Sequence, residues 1–231
     1  KEQLAGLRFH DLVRSISQAN DPILEELRQD IEQQVTFSGV ALQVQVAGVE
    51  RHWRLTSKPT FDEFGTYTGY IGTASDVTTE KNAERRINYL AHNDALTGLL
   101  NRAKFTEHLK QSIARLERYG SPFVVLYLDL DNFKDVNDES GHAAGDYVLK
   151  SVTGQWMSMS RSSDIVGRLG GDEFAMLLPE TDADDAAILM RRLRQYANHP
   201  WSWGVAQLRQ GDTVESLLNR ADLAMYDDKR G

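Results

Sequence analysis

The sequence predicts an α+β protein, with helices layered on sheets, in two parts joined by a charged helix. Three observations predict it. Val40, Leu42, Val44 and Val46 alternate with Ala41, Gln43 and Gln45, the period of a half-buried strand. After residue 102, helical and strand-like segments follow in the order α-β-α-β-β-α-β-α, which describes a sheet covered by helices and not a doubly wound one. Gly170-Gly171 separates two strand-like runs, as a tight hairpin in the middle of that sheet requires, because both glycines can take φ > 0.

In chain order, residues 8–35 read as helical, with Leu24, Leu27 and Ile31 on one face after Asp21-Pro22. RHWRLTS (51–57) and YIGTASDV (70–77) read as two strands after the Val40–Val46 strand, with Asp62, Glu63 and Gly65 marking the turn between them. In TTEKNAERRINYLAH (78–92), Ala83, Ile87 and Leu90 fall at i, i+4 and i+7, a stripe as narrow as a coiled-coil seam. Such a stripe suits a linker helix packed on its neighbour, or a dimer seam that carries a signal.

The second part opens with a helix over Arg102–Tyr119 and an apolar run, Phe123–Leu128, too short for a helix and ending in Asp129. A helix over Ala144–Met159 puts Val148, Val152 and Trp156 on one face, and Ile165–Leu169 and Phe174–Leu178 flank the glycines as strands. Helix, strand and helix follow near 183–197, 201–206 and 213–228.

Composition narrows the function classes. Forty-one per cent hydrophobic residues suffices for a core, and the net charge of −8 argues against DNA or RNA as the partner. Without cysteine there are no disulfides, thiolate metal sites or cysteine nucleophiles. No run approaches the roughly 20 apolar residues that cross a bilayer, and KEQLAGLRFH lacks the apolar core of a signal peptide. The expected compartment is the cytoplasm, either as a free protein or as the cytoplasmic part of a membrane-anchored one.

Two acidic strand ends carry the chemistry. Gly170-Gly171-Asp172-Glu173 alone describes an ordinary hairpin with solvated acids, and YLDLDNFKDVND (127–138) alone describes a polar turn after a buried strand. A calcium loop is excluded, because the sixth position from Asp129 is Lys134 instead of glycine and the twelfth is Ser140 instead of glutamate. Neither a GxxxxGK[ST] loop nor a GxGxxG loop occurs. If the strand ending at Asp129 lies beside the 165–178 hairpin, Asp129 and Asp172 converge, which is costly unless a cation joins them. Hard oxygen ligands favour Mg²⁺ or Mn²⁺, with phosphate oxygens completing the shell. Gly170 and Gly171 then also let a ligand approach the main chain, while Lys134 and the amides around Asn132 and Phe133 can neutralise a triphosphate.

Two resemblances add to this reading. KPTFDEFGTYTGYIGTASDVT (58–78) resembles the last hairpin of PAS sensory domains, which implies a partial PAS domain over 1–77 whose opening strands are absent. Arg168-Leu169-Gly170-Gly171-Asp172-Glu173-Phe174 carries the signature of GGDEF domains, the diguanylate cyclases. DALTGLLNR (94–102), LDLDNFKDVND (128–138), GHAAGDYVL (141–149) and ADLAMYDDK (221–229) occur in that family's order. The resemblance implies a linker helix over 78–93, a GGDEF domain over 94–231 and a fold like the palm of nucleotidyl cyclases and polymerases.

It further implies condensation of two GTP into cyclic di-GMP with loss of two pyrophosphates, by a homodimer using Mg²⁺ or Mn²⁺, two ions per active site. Asp129 and Asp172 match the metal-binding acids, with the Leu130 carbonyl assisting. Glu173 matches the second signature acid, placed for a metal contact or for deprotonating the attacking hydroxyl. Asn137 and Asp146 match the guanine readers, and a carboxylate facing guanine N1–H and the 2-amino group discriminates against adenine. Lys134 and Lys229 match phosphate contacts. Arg161-Ser162-Ser163-Asp164 stands where many of these enzymes carry an RxxD product-inhibition site, with Arg192 as the second arginine and Arg191 and Arg194 as competitors for that role. A lone RxxD would be a surface ion pair of little energetic worth.

Two departures stand against the family pattern. Asp228 precedes Lys229 where the motif usually reads AK, and an arginine expected near the phosphates is missing. The stop at Gly231 predicts that more protein follows, an EAL phosphodiesterase domain being the candidate. The rival function is therefore a GTP- or cyclic di-GMP-binding regulatory domain, catalytically weak, within a larger GGDEF-EAL protein. His10 and His52 are candidate haem ligands for the sensor, each more simply read as a surface or packing histidine.

Overall fold

The structure is a computed structural model and describes residues 22–46, 48–119 and 122–229. The chain divides into two compact units, Lys1–Ile87 and Asn88–Gly231. In the first, helix α1 (Pro22–Glu32) precedes strands β1 (Phe37–Val46), β2 (Val49–Phe61) and β3 (Tyr67–Asp76), an antiparallel sheet in that order. Leu24 and Leu27 of α1 are buried against Phe37, Leu42, Val44, Trp53 and Leu55. The expected helix over 8–35 ends earlier, at Glu32. Gln34 takes the left-handed conformation (φ 56°), while Gln34 N–H donates to the Ile31 carbonyl and Val35 N–H to the Asp30 carbonyl, which is the pairing of a Schellman stop. The Tyr70 hydroxyl then donates to the Asp30 and Val35 carbonyls at 3.0 and 2.9 Å, tying β3 to the end of that helix. The part of the expected helix before residue 22, and His10 with it, lies outside the described residues.

In the β2–β3 turn, the Asp62 carboxylate accepts from the amides of Phe64 and Thr66 at 2.9 and 2.8 Å. Acidic residues make such turns because the side chain replaces a missing backbone partner. Helix α2 (Thr78–His92) follows and runs across the division between the units. It buries none of its residues.

The second unit contains β4 (Leu100–Asn101), α3 (Arg102–Tyr119), β5 (Phe123–Leu130), α4 (Phe133–Ser140), α5 (His142–Met159), β6 (Ile165–Gly170), β7 (Glu173–Pro179), α6 (Ala183–Gln195), β8 (Trp201–Gln207) and α7 (Val214–Asp228). The five strands lie in the order β4-β6-β7-β5-β8, with only the β4–β6 pair parallel. This is the mixed α+β layering expected, with the hairpin β6–β7 inside the sheet. Two elements go beyond the sequence reading. Strand β4 is two residues long and α4 is eight residues with only two apolar ones, so neither leaves a periodic signal.

The alternation along β5 sorts the two cores. Val124, Leu126, Leu128 and Leu130 face α5 and α6, packing on Leu149, Val152, Trp156, Met190 and Leu193. Phe123, Val125 and Tyr127 face α3 and α7, packing on Phe105, Leu109, Leu217, Ala221 and Met225. Trp156 meets Phe174 and Trp201 edge-on, with ring centroids 5.1 and 5.5 Å apart. By parity, Asp129 projects on the α3/α7 side, one residue beyond the apolar run.

Close approach of α7 to β8 requires Gly204, since a Cβ there would stand 2.0 Å from the Met225 nitrogen and 2.2 Å from the Ala221 oxygen. Both are backbone atoms and cannot swing aside. Gly204→Ala is therefore expected to destabilise the protein by about 1–3 kcal/mol, read as a lower urea midpoint. Gly154→Ala, on α5 with nothing within 4 Å of its Cβ, is expected to stabilise by about 0.5–1 kcal/mol. A Gly204→Ala protein as stable as the parent contradicts this packing.

Candidate functional site

Strand β5 runs antiparallel to β7 with Asp129 opposite Glu173, and to β8 with Asp129 opposite Ser202. The Leu130 amide donates to the Asp172 carbonyl at 3.3 Å, so the β5 end and the hairpin bend meet at one sheet edge. The bend itself is bare: Gly170 and Gly171 have φ of 159° and 49°, and a Cβ on either would meet nothing within 4 Å. Space for a ligand lies above it.

Electrostatically this edge carries excess negative charge. Burial pushes the Asp129 carboxyl above its ordinary value; the Lys229 ammonium pulls it back, and the Asp172 and Asp131 carboxylates push it up again. Lys229 is itself held above the usual lysine value: its burial opposes this, but the hydrogen bond to Asp129 and the charges of Asp129, Asp131 and Asp172 outweigh that burial. The two directions agree, because Asp129 has one cation near it and two further carboxylates, while Lys229 is surrounded by acids. Lys229 hydrogen-bonds Asp129 and stands 3.8 Å from Asp131. Asp131 is fixed by the Ser202 hydroxyl, which donates to its carboxylate at 2.8 Å.

These donors fit a divalent ion. Asp129 and Asp172 are hard oxygen ligands in a place that burial and repulsion make costly without a cation. No group of three or more histidine, aspartate or glutamate side chains is preassembled as a metal site among the described residues. The shell would need the Leu130 carbonyl, water or phosphate oxygens. Glu173 has a partner that sequence reading missed. The Tyr127 phenol is buried, which raises its pKa first, and it donates to the neighbouring Glu173 carboxylate, which raises it further. A strand residue inside an apolar run gives no hint of this; only the register, with Tyr127 two residues from Asp129 on the same face, reveals it.

Asn132 takes φ 56° and sends the chain into α4, whose first residues are Phe133 and Lys134, so amides without intrahelical acceptors open towards this edge. Lys134 is exposed. Asn137 lies against α5: a Cβ at residue 145 would fall 2.2 Å from Asn137 Oδ1, so Gly145 is the notch that admits the amide beside Asp146. Gly145 thus joins Asn137 and Asp146 as a candidate residue, and the GHAAGD run is its signal.

The opening motif DALTGLLNR also gains a role. Arg168 donates from Nε and Nη2 to the Gly171 carbonyl at 2.9 and 2.7 Å, and from Nη1 to Asp94 at 3.0 Å. Asp94 also accepts from the Thr97 amide and hydroxyl, at 2.9 and 2.7 Å. A guanidinium fork therefore joins the hairpin bend to the segment that follows α2. Burial raises the Asp94 pKa, but the Thr97 and Arg168 hydrogen bonds outweigh it and hold the carboxyl below its ordinary value.

Away from this edge, Arg161, Asp164 and Arg192 line one cavity of about 380 Å³, together with Glu180, Asp185 and Ile188. The Asp164 carboxylate accepts from the Arg161 amide at 2.7 Å. Arg194 does not line it; its guanidinium is engaged with Asp228 and Trp201.

A family model described as diguanylate cyclase, GGDEF domain, matches residues 91–231. The chain is 32% identical over 246 residues to the probable diguanylate cyclase DgcE of Escherichia coli, covering 100% of this chain and 22% of that protein. It is 32% identical over 195 residues to a diguanylate cyclase of Vibrio cholerae, covering 79% of this chain and 61% of the relative. The chain thus spans less than two thirds of the length of either. The coiled coil and GGDEF domain of DgcB from Caulobacter crescentus, in complex with c-di-GMP, superposes with a TM-score of 0.61 at 29% identity, over 67% of this chain and 89% of that one.

The Asp94 fork yields a pH prediction. A carboxyl lowered by folding contributes stability above its unfolded pKa and loses it as pH falls through the folded value. Asp94→Asn is expected to cost roughly 1.5–3 kcal/mol at pH 7, and its stability should fall less steeply below about pH 4. Urea midpoints across pH check this; parallel curves for the two proteins contradict it.

Proposed function

The chain belongs to the GGDEF family of diguanylate cyclase domains, and on that premise we propose that it condenses two GTP into cyclic di-GMP, releasing two pyrophosphates. The observation that carries the reading is the antiparallel β5–β7 pairing, which sets Asp129 across from Glu173 beside a bare Gly170-Gly171 bend. Asp129, Asp172 and the Leu130 carbonyl would hold Mg²⁺ or Mn²⁺, two ions per site in this reading. Bound there, such an ion supplies charge neutralisation on the triphosphate. Asn137 and Asp146 read the guanine edge. Lys134, Lys229 and the amides at Asn132 and Phe133 hold phosphate oxygens, and Glu173, held by Tyr127, completes the acidic edge.

In each half-reaction the 3′-oxygen of one GTP forms a bond to the α-phosphorus of the other, the bond to the bridging pyrophosphate oxygen breaks, and the hydroxyl proton passes to water, directly or by way of Glu173. One domain holds one GTP, so two copies meet face to face, and the two-fold symmetry of the product suits that isologous encounter. The stripe on α2 supports pairing of copies, because Ile87 and Leu90 are 67% and 40% exposed. The three-stranded sheet with its helix, closing in Asp76-Val77-Thr78, supports a partial PAS sensor over 1–77, joined by the 78–93 helix to a GGDEF domain over 94–231. No helix among the described residues is long and apolar enough to cross a membrane. Arg161, Asp164 and Arg192 form the product-inhibition site of this reading.

The test is incubation with GTP and Mg²⁺ followed by chromatography, across protein concentration. Wild type is expected to form cyclic di-GMP with a rate rising faster than linearly in protein, and Asp172→Ala to lose about a hundredfold or more. GTP bound without product would make the domain a binding module. Arg161→Ala should keep turnover but need about tenfold more cyclic di-GMP for half-inhibition, the scale of one charge-assisted contact. Equal feedback in both proteins contradicts the inhibitory site.

A further inference from the structure

Asp228 is a conspicuous residue in α7. It ends a helix that has no basic residue in its last turn, with Asp227 beside it, and negative charge there opposes the helix dipole. A carboxylate in this place needs a cation, and Arg194 of α6 supplies one at 2.5 Å.

The pair does more than neutralise charge. Strand β8 is an edge of the five-stranded sheet, paired with β5 on one side only. Trp201 and Trp203 point their backbone groups to the free side, where they need partners. Arg194 Nη2 donates to the Trp201 carbonyl at 2.9 Å, and Asp228 accepts from the Trp203 amide at 3.3 Å. The guanidinium also lies over the Trp201 ring, 5.6 Å from its centroid. The ion pair thus continues the ladder of the edge strand and fastens α6, β8 and the last turn of α7 together. Lys229 follows directly, its amide donating to the Met225 carbonyl at 3.0 Å, and its side chain crosses to Asp129.

We propose that Asp228 and Arg194 are positioning residues: they clamp the end of α7 to the free edge of β8, and so hold Lys229 at the acidic edge where it meets the triphosphate. The inference rests on the reading of Lys229 as a phosphate contact. Exposed ion pairs contribute little to stability, so the consequence of this pair lies in where Lys229 stands. A lysine on a frayed helix end keeps its charge but loses its place, and nucleotide affinity falls with it.

A double-mutant cycle separates position from stability. Binding of a non-hydrolysable GTP analogue with Mg²⁺ is measured by calorimetry for wild type, Asp228→Ala, Lys229→Met and the double variant, with melting curves alongside. Lys229→Met is expected to weaken binding about tenfold and Asp228→Ala about three- to tenfold, the scale of charge-assisted contacts. The double variant should bind no more weakly than Lys229→Met, because Asp228 acts only through that lysine. Arg194→Met should match Asp228→Ala, and takes its place in the cycle if the latter fails to fold. Wild-type affinity in Asp228→Ala, or losses that add in the double variant, overturns the positioning role alone. Unchanged affinity in Lys229→Met overturns the phosphate role of Lys229, and the positioning role with it.

Discussion

Two carboxylate-bearing strand ends lie side by side, held against their mutual repulsion by the apolar core of the second unit. Asp129 leaves the apolar run of β5 on the face shared with α7, opposite Glu173 and near Asp172. The apolar residues before it fix that geometry: Phe123 to Leu128 and Leu130 are buried, so a register slip by one residue would bury the carboxylate fully and expose a leucine. The fold thus enforces a charge arrangement that water alone would disperse, and cations must answer it. Lys229 is a cation the chain itself provides, and the divalent ion that accompanies the triphosphate is the one the proposed reaction provides.

Around that edge, each support is a local solution to a steric or hydrogen-bonding demand. Gly204 lets α7 lie close enough for Lys229 to reach Asp129, and Gly145 admits Asn137 beside Asp146. Arg168 grips the Gly171 carbonyl from below while holding Asp94, so the bend is braced from the side that follows α2. The cavity at Arg161, Asp164 and Arg192 is lined from α5, the far end of β7 and α6, away from the acidic edge.

The sequence made much of this legible. The long helices, β5 and the β6–β7 hairpin carry strong periodicity or a Gly-Gly bend, and the structure puts them where that periodicity indicates. The convergence of Asp129 and Asp172 followed from one assumption about strand pairing. What stayed hidden depends on register and on side-chain reach. Tyr127 reads as one more apolar strand residue until β5 is aligned with β7. Strand β4 and helix α4 are too short and too polar to show a period, and the end of α1 was set by Gln34 in a conformation usually left to glycine. Asp228 is visible as a departure, but its partner Arg194 lies 34 residues away and no local pattern links the two.

The need of the acidic edge for a cation is open to direct measurement. Paramagnetic resonance can follow Mn²⁺ uptake by the protein with a non-hydrolysable GTP analogue present, in wild type and in Asp129→Asn. The account predicts saturable uptake by wild type that is weakened at least tenfold in the variant, the scale of one lost charged ligand. Equal uptake by both proteins would contradict it.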